Sequence, residues 1–327
     1  MTADTAGKAN GLTPVDIVAT YKRIFSLRNE TVDASVDELE RLFGATDSVL
    51  LRHEIAYALG QMQLPHAEPF LKRVLADQSE HPITRHEAAE ALGAIGSPAN
   101  LDVLREYASD PAPEVSQTCA LAVHRIEQNI ERGMCACEKT VQAALVRDAA
   151  AEAAKHGSLL AEEPVIDARS AYSQSAYMTV DPAASSMRDV PFVEVAAAFS
   201  DERQPLHVRY SAMFALRDLN TKRAANALAA GLRETSSALF RHEVAFVLGQ
   251  LEQECTTEQL KISLADRAEH PMVRHEAAEA LGAIGSDDAI STLREYSEDS
   301  EAIVRDSCLV ALDMYDRGGF EDEGVMV

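Results

Sequence analysis

The sequence predicts an all-α solenoid, built as two halves of four stacked helix pairs related by pseudo-two-fold symmetry. Three observations predict it. A long stretch is written twice at a constant offset, each copy carries a shorter period of 33 residues, and the composition favours helix.

The duplication carries the most weight. Residues 81–97 read HPITRHEAAEALGAIGS and residues 270–286 read HPMVRHEAAEALGAIGS, differing only at Ile83/Met272 and Thr84/Val273. The same offset of 189 residues pairs Leu51-Arg52-His53-Glu54 with Phe240-Arg241-His242-Glu243, Tyr21 with Tyr210 and Cys119 with Cys308. An offset held this long marks a duplicated domain.

The shorter period separates His53 from His86 and His242 from His275. A period of this size belongs to solenoids of helix pairs. In 85-RHEAAEALGAIG-96, Ala88, Ala91, Leu92 and Ile95 form an apolar stripe at helical spacing, and Gly96 followed by Ser97-Pro98 ends the helix. Leu101, Leu104 and Tyr107 give the second helix its stripe. Pro82 and Pro271 suit the first turn, where no N–H is needed. Motif helices are expected to start near residues 20, 51, 84 and 115, then near 209, 240, 273 and 304. The expected domains are 1–137 and 191–317, joined by an Ala/Ser-rich segment over 138–190, with a frayed tail at 318–327.

Composition fits a soluble protein with a real core: 46% of residues are hydrophobic and 25% charged, with few aromatics and no Trp. A net charge of -23 disfavours nucleic acid and anionic membranes as partners, and would steer a basic one. No apolar run reaches the roughly 18 residues of a membrane span, and MTADTAGKANGLTPVD has no signal-peptide core. The five cysteines form no disulfide framework. A cytoplasmic location is expected.

His-Glu pairs at 53–54, 86–87, 242–243 and 275–276 occur only in the two central units of each half, each after an arginine. Stacked helices would set them in a row. Imidazole with carboxylate suits iron, zinc or manganese, and two His with one carboxylate make the facial triad of non-haem iron oxygenases. The motif lacks cysteine, which argues against structural zinc. If the halves face each other, two metals meet across the pseudo-two-fold, and one carboxylate per half stays free. Glu90 and Glu279 lie one turn from the histidines, as second-layer partners or as solvated residues. A non-catalytic repeat scaffold and a two-metal hydrolase remain alternatives.

On these residues the sequence resembles the deoxyhypusine hydroxylases. The resemblance covers nearly the whole chain and includes all four His-Glu pairs and the RHE-x-x-EALGAIG motif twice. It implies HEAT-like repeats, two Fe as Fe2+ in a di-iron centre, and molecular oxygen as co-substrate. The substrate it implies is the deoxyhypusine side chain of eukaryotic translation initiation factor 5A, hydroxylated to complete hypusine. The implied metal ligands are His53, His86 and Glu87 for one iron and His242, His275 and Glu276 for the other. Glu54, Glu243, Gly60, Gly249 and Met272 are implied to bind the substrate.

Overall fold

The structure is a computed structural model that describes residues 13–133, 177, 179–187 and 189–316. Among the described residues there is no strand, and no helix is long and apolar enough to cross a membrane. The first half contains α1 (Pro14–Glu30), α2 (Asp33–Ala45), α3 (Val49–Met62), α4 (Glu68–Ala76), α5 (Pro82–Ile95), α6 (Leu101–Tyr107) and α7 (Pro113–Glu131). The second contains α8 (Phe192–Ser200), α9 (Leu206–Leu219), α10 (Lys222–Ala230), α11 (Ala238–Leu251), α12 (Thr257–Ala265), α13 (Pro271–Ile284), α14 (Asp287–Tyr296) and α15 (Ala302–Asp316). The expected motif helices are α1, α3, α5 and α7, then α9, α11, α13 and α15. They begin two to six residues earlier than the apolar stripes suggest, because caps extend them. Thr13 and Asp16 form a capping box at α1, and Ser48 and Ser237 cap α3 and α11. The expectations for 138–176 and for the tail lie outside the described residues.

The motif helices form the inner layer of each half. α3 packs on α5 and α5 on α7, while α11 packs on α13 and α13 on α15. Their crossings are close because small residues meet there. A Cβ on Gly93 would come within 2.7 Å of the Ala122 Cβ, and one on Gly282 within 2.6 Å of the Ala311 Cβ. Ala88, Ala89, Ala277 and Ala278 are fully buried.

The arginine before each His-Glu pair has a structural task. Arg85 Nε donates to the Leu75 carbonyl at 2.9 Å and its Nη2 to Asp110 Oδ2 at 2.6 Å. Arg274 repeats this with Leu264 and Asp299. Arg52 and Arg241 reach Glu80 and Glu269, both at 2.7 Å. Each guanidinium thus ties its helix to the neighbouring unit by charge-assisted hydrogen bonds.

The halves close on each other along two seams. α1 and α3 meet α15, with Lys22 2.5 Å from Asp313 and Ser48 bonded to Asp306. α7 meets α9 and α11, with Ser237 bonded to Gln117. A strap at 179–187 crosses the second seam. Its Val180 N–H donates to Gln61 of the first half, and Asp181 receives the fully buried Arg217 of the second at 2.7 and 2.8 Å. The inner faces of α3, α5, α11 and α13 are thereby turned toward one another.

Candidate metal centre and substrate cleft

Each His-Glu pair sits in the first or second turn of its helix, and N-caps fix those turns. Ser48 and Ser237 cap α3 and α11. At α5 and α13 the caps are His81 and His270, whose Nδ1 atoms accept the Ile83 and Met272 N–H at 3.2 Å. Stacking along each half and facing across the seam then bring all four pairs together. His53, Glu54, His86, Glu87, His242, Glu243, His275 and Glu276 are each no more than 5% exposed.

The four imidazoles form one cluster. Ring centroids are 5.6 Å apart for His53 and His86 and 5.5 Å for His242 and His275. Across the halves, His53 lies 5.1 Å from His275 and His86 lies 5.5 Å from His242. Ligand atoms of His53, His86 and Glu87 lie within 4.8 Å of one another, the set expected for one metal. In the second half, His242 Nε2 is 3.3 Å from Glu276 Oε2. His242 and His275 also share a 4.8 Å group with His53, so the two expected sets are contiguous.

Among the described residues, neither ring nitrogen of His86, His242 or His275 has a hydrogen-bond partner. The nearest carboxylates, Glu276 to His242 and Glu279 to His275, stand at 3.3 and 3.5 Å. Buried polar atoms are normally satisfied, so these nitrogens point to a bound group. Burial, and then the neighbouring imidazoles, hold the pKa values of His86, His242 and His275 well below the ordinary value. Neutral imidazoles with free lone pairs are what a metal ion requires. His53 differs. Burial opposes its charge, but contacts with Glu54 at 3.0 Å and Glu87 at 3.3 Å outweigh that and raise its pKa. His/carboxylate donors without sulfur fit iron.

Beside the cluster lies a cleft of about 440 Å³, including the part open to solvent. Glu54, Glu87, Glu90, Glu243, Glu276 and Glu279 line it, with Tyr21, Phe25, Tyr57 and Phe246. Burial, then repulsion from Glu279, raises the pKa of Glu54 to about 7. Burial, then Glu87, raises that of Glu90 to about 8. Glu243 and Glu276 are also pushed well up, by burial first and then by Glu90 and Glu279 respectively. So many crowded carboxylates suit a cationic guest and bound metal, which together would neutralise them.

The expected substrate residues divide. Glu54 and Glu243 line the cleft. Gly60, Gly249 and Met272 lie outside that lining. A Cβ on Gly60 would lie 2.7 Å from Ala91 Cα, and one on Gly249 would lie 3.1 Å from Ala280 Cα. These glycines therefore permit close approach of α3 to α5 and of α11 to α13. Met272 is fully buried in the core.

The chain matches a family model described as HEAT repeats over residues 36–124 and 225–313, and one described as PBS lyase HEAT-like repeat over 208–234. It is 43% identical over 313 residues to the deoxyhypusine hydroxylase of Homo sapiens, covering 94% of this chain and 90% of that protein. It is 42% identical over 294 residues to that of Drosophila melanogaster, covering 90% and 85%. The chain belongs to the deoxyhypusine hydroxylase family. The solved structure of human deoxyhypusine hydroxylase in complex with glycerol matches with a TM-score of 0.74 at 39% identity, covering 93% of this chain and 97% of that one. The two-half α-solenoid is thus the fold of a deoxyhypusine hydroxylase. Beyond the residues that the resemblance supplies, the structure adds Glu90, Glu279, Tyr21, Phe25, Tyr57 and Phe246 to the cleft. For the two glutamates the signal was already in the sequence, since both recur one turn past a His-Glu pair. The aromatic residues carry no such mark.

Proposed function

We propose that the chain is a di-iron monooxygenase that hydroxylates the deoxyhypusine side chain of eukaryotic translation initiation factor 5A with molecular oxygen. The observation that carries this is the buried four-imidazole cluster, three of whose rings have no hydrogen-bond partner on either nitrogen among the described residues, set beside a carboxylate-lined cleft. In this reading His53, His86 and Glu87 hold one iron, and His242, His275 and Glu276 the other. Bound iron supplies the oxygen-activating redox chemistry that side chains lack.

The chain's own residues do the rest. Glu54 and Glu243 stand free of the ligand sets and meet the two ammonium groups of the deoxyhypusine arm by charge-assisted hydrogen bonds. Arrival of those charges favours the ionised form of Glu54, which burial alone disfavours. Phe25, Tyr57 and Phe246 enclose the methylenes and keep water from the reacting carbon. Stacked helices set the arm in one position relative to the metal ligands, so orientation is built in before substrate arrives.

The acidic chain, at a net charge of -23, favours a basic protein substrate. Cys119, Cys255 and Cys308 are free thiols, consistent with the cytoplasm as the site of reaction. The repeat domains are read as 1–137 and 191–317, with 138–190 connecting them. The test is single-turnover hydroxylation under isotopically labelled oxygen. Iron-loaded protein and a deoxyhypusine-bearing substrate should give a product heavier by one labelled oxygen atom. Unlabelled product, or hydrolysis of an amide or ester instead, would refute the assignment.

A further inference from the structure

The duplicated cleft is not symmetric, and the difference rests on one hydroxyl. The 189-residue offset pairs Glu54 with Glu243 and Tyr57 with Phe246. Tyr57 stands three residues past Glu54 on α3, so the two share a helix face, and Phe246 stands likewise to Glu243 on α11. The Tyr57 and Phe246 rings meet edge to face across the halves, with centroids 6.3 Å apart. Both line the cleft.

Two other tyrosines near this site have engaged hydroxyls. Tyr21 bonds the Glu279 carboxylate, and Tyr210 donates to the Leu239 carbonyl at 3.3 Å. The Tyr57 hydroxyl is buried and has no hydrogen-bond partner among the described residues. Burying such a group is unfavourable unless something completes it. One pole of the cleft therefore offers a carboxylate and a hydroxyl, and the other a carboxylate and a phenyl ring.

The arm of deoxyhypusine has the same imbalance. Its terminal primary ammonium carries three N–H donors, as a lysine does. Its inner secondary ammonium carries two and is flanked by methylenes on both sides. We propose that Tyr57 gives the site its direction: its hydroxyl accepts a hydrogen bond from the terminal ammonium, which Glu54 neutralises, and the inner ammonium lies toward Glu243 and Phe246. This rests on the function proposed above. Tyr57 is a substrate-positioning residue that the resemblance does not supply, and its mate Phe246 marks the apolar pole.

The experiment compares binding of two peptides to iron-loaded protein without oxygen. One bears the aminobutyl arm, and the other bears a butyl arm that lacks the terminal amine. A plain lysine peptide serves as reference. Tyr57→Phe should weaken binding of the aminobutyl peptide about tenfold or more, the scale of a hydrogen bond to a charged group. It should leave the butyl peptide unchanged, and thermal melts of the variant should not fall below wild type, since the hydroxyl it removes has no partner among the described residues of the free protein. Phe246→Tyr should not restore the loss. Equal weakening for both peptides, or none for either, would overturn the inference while leaving the hydroxylase reading intact. Wild-type protein that fails to prefer the aminobutyl peptide over plain lysine would overturn both.

Discussion

Replacing Gly60 and Gly249 by alanine should give unequal results, although the two occupy the same place in the duplicated halves. At Gly60 the new Cβ would stand 2.7 Å from Ala91 Cα and 2.8 Å from its Cβ. Real Cβ atoms do not approach backbone so closely, so α3 and α5 must separate by roughly half an ångström. At Gly249 the corresponding distances are 3.1 and 3.3 Å, which a small shift relieves. Overpacking costs about 1–3 kcal/mol, while Gly→Ala within a helix returns about 1 kcal/mol. Gly60→Ala should then be destabilising by about 1 kcal/mol and Gly249→Ala neutral or slightly stabilising. The assay is urea unfolding of the metal-free proteins, since bound metal shifts apparent stability. Because α3 carries His53 and α5 carries His86, Gly60→Ala should also weaken metal loading more than its counterpart. Equal unfolding midpoints with equal metal content would refute this packing argument.

Three further outcomes are expected. Asp110→Ala strands Arg85, which is 3% exposed on its side chain, and should cost about 3–5 kcal/mol in urea unfolding; Glu127→Ala breaks only the exposed pair with Arg105 and should cost less than about 1 kcal/mol. His53→Ala should lose iron, whereas Glu54→Gln should keep it and raise KM; equal iron loss from both would contradict the division of roles. Metal-free protein should lose stability as pH rises through 7 to 8, where Glu54 and Glu90 ionise. Their folded-state pKa values lie above the ordinary 4.5, so the folded state holds its protons longer than the unfolded chain does. His86, His242 and His275, with lowered values, act on the other side and cost stability only as pH falls below about 6.5. Melting temperatures measured from pH 6.5 to 8.5 check this, and a rise over that range would contradict it.

Much of this molecule is legible in its sequence because its information is periodic. The 189-residue and 33-residue spacings mark the inner helices, and the His-Glu pairs stand out because only the central units carry them. What was hidden depends on the second half as an opposing surface. Glu90 and Glu279 read equally well as solvated helix residues until the halves close over them. Tyr57 in an apolar helix reads as core, and only its facing partner Phe246 shows that its hydroxyl is stranded. The close approach of Gly60 to Ala91 and of Gly249 to Ala280 is also hidden, because the sequence cannot distinguish a glycine that opens space from one that lets two helices touch. Asp181 lies in a stretch with no period at all, yet it holds the buried Arg217 across the seam.

The most direct test is an anaerobic titration of metal-free protein with ferrous iron, read by metal analysis and visible spectroscopy after oxygen is admitted. Two irons per chain, with a visible band that needs oxygen and is lost in both His86→Ala and His275→Ala, is the predicted result. No retained iron, or a site that takes only zinc and stays colourless in oxygen, would contradict it.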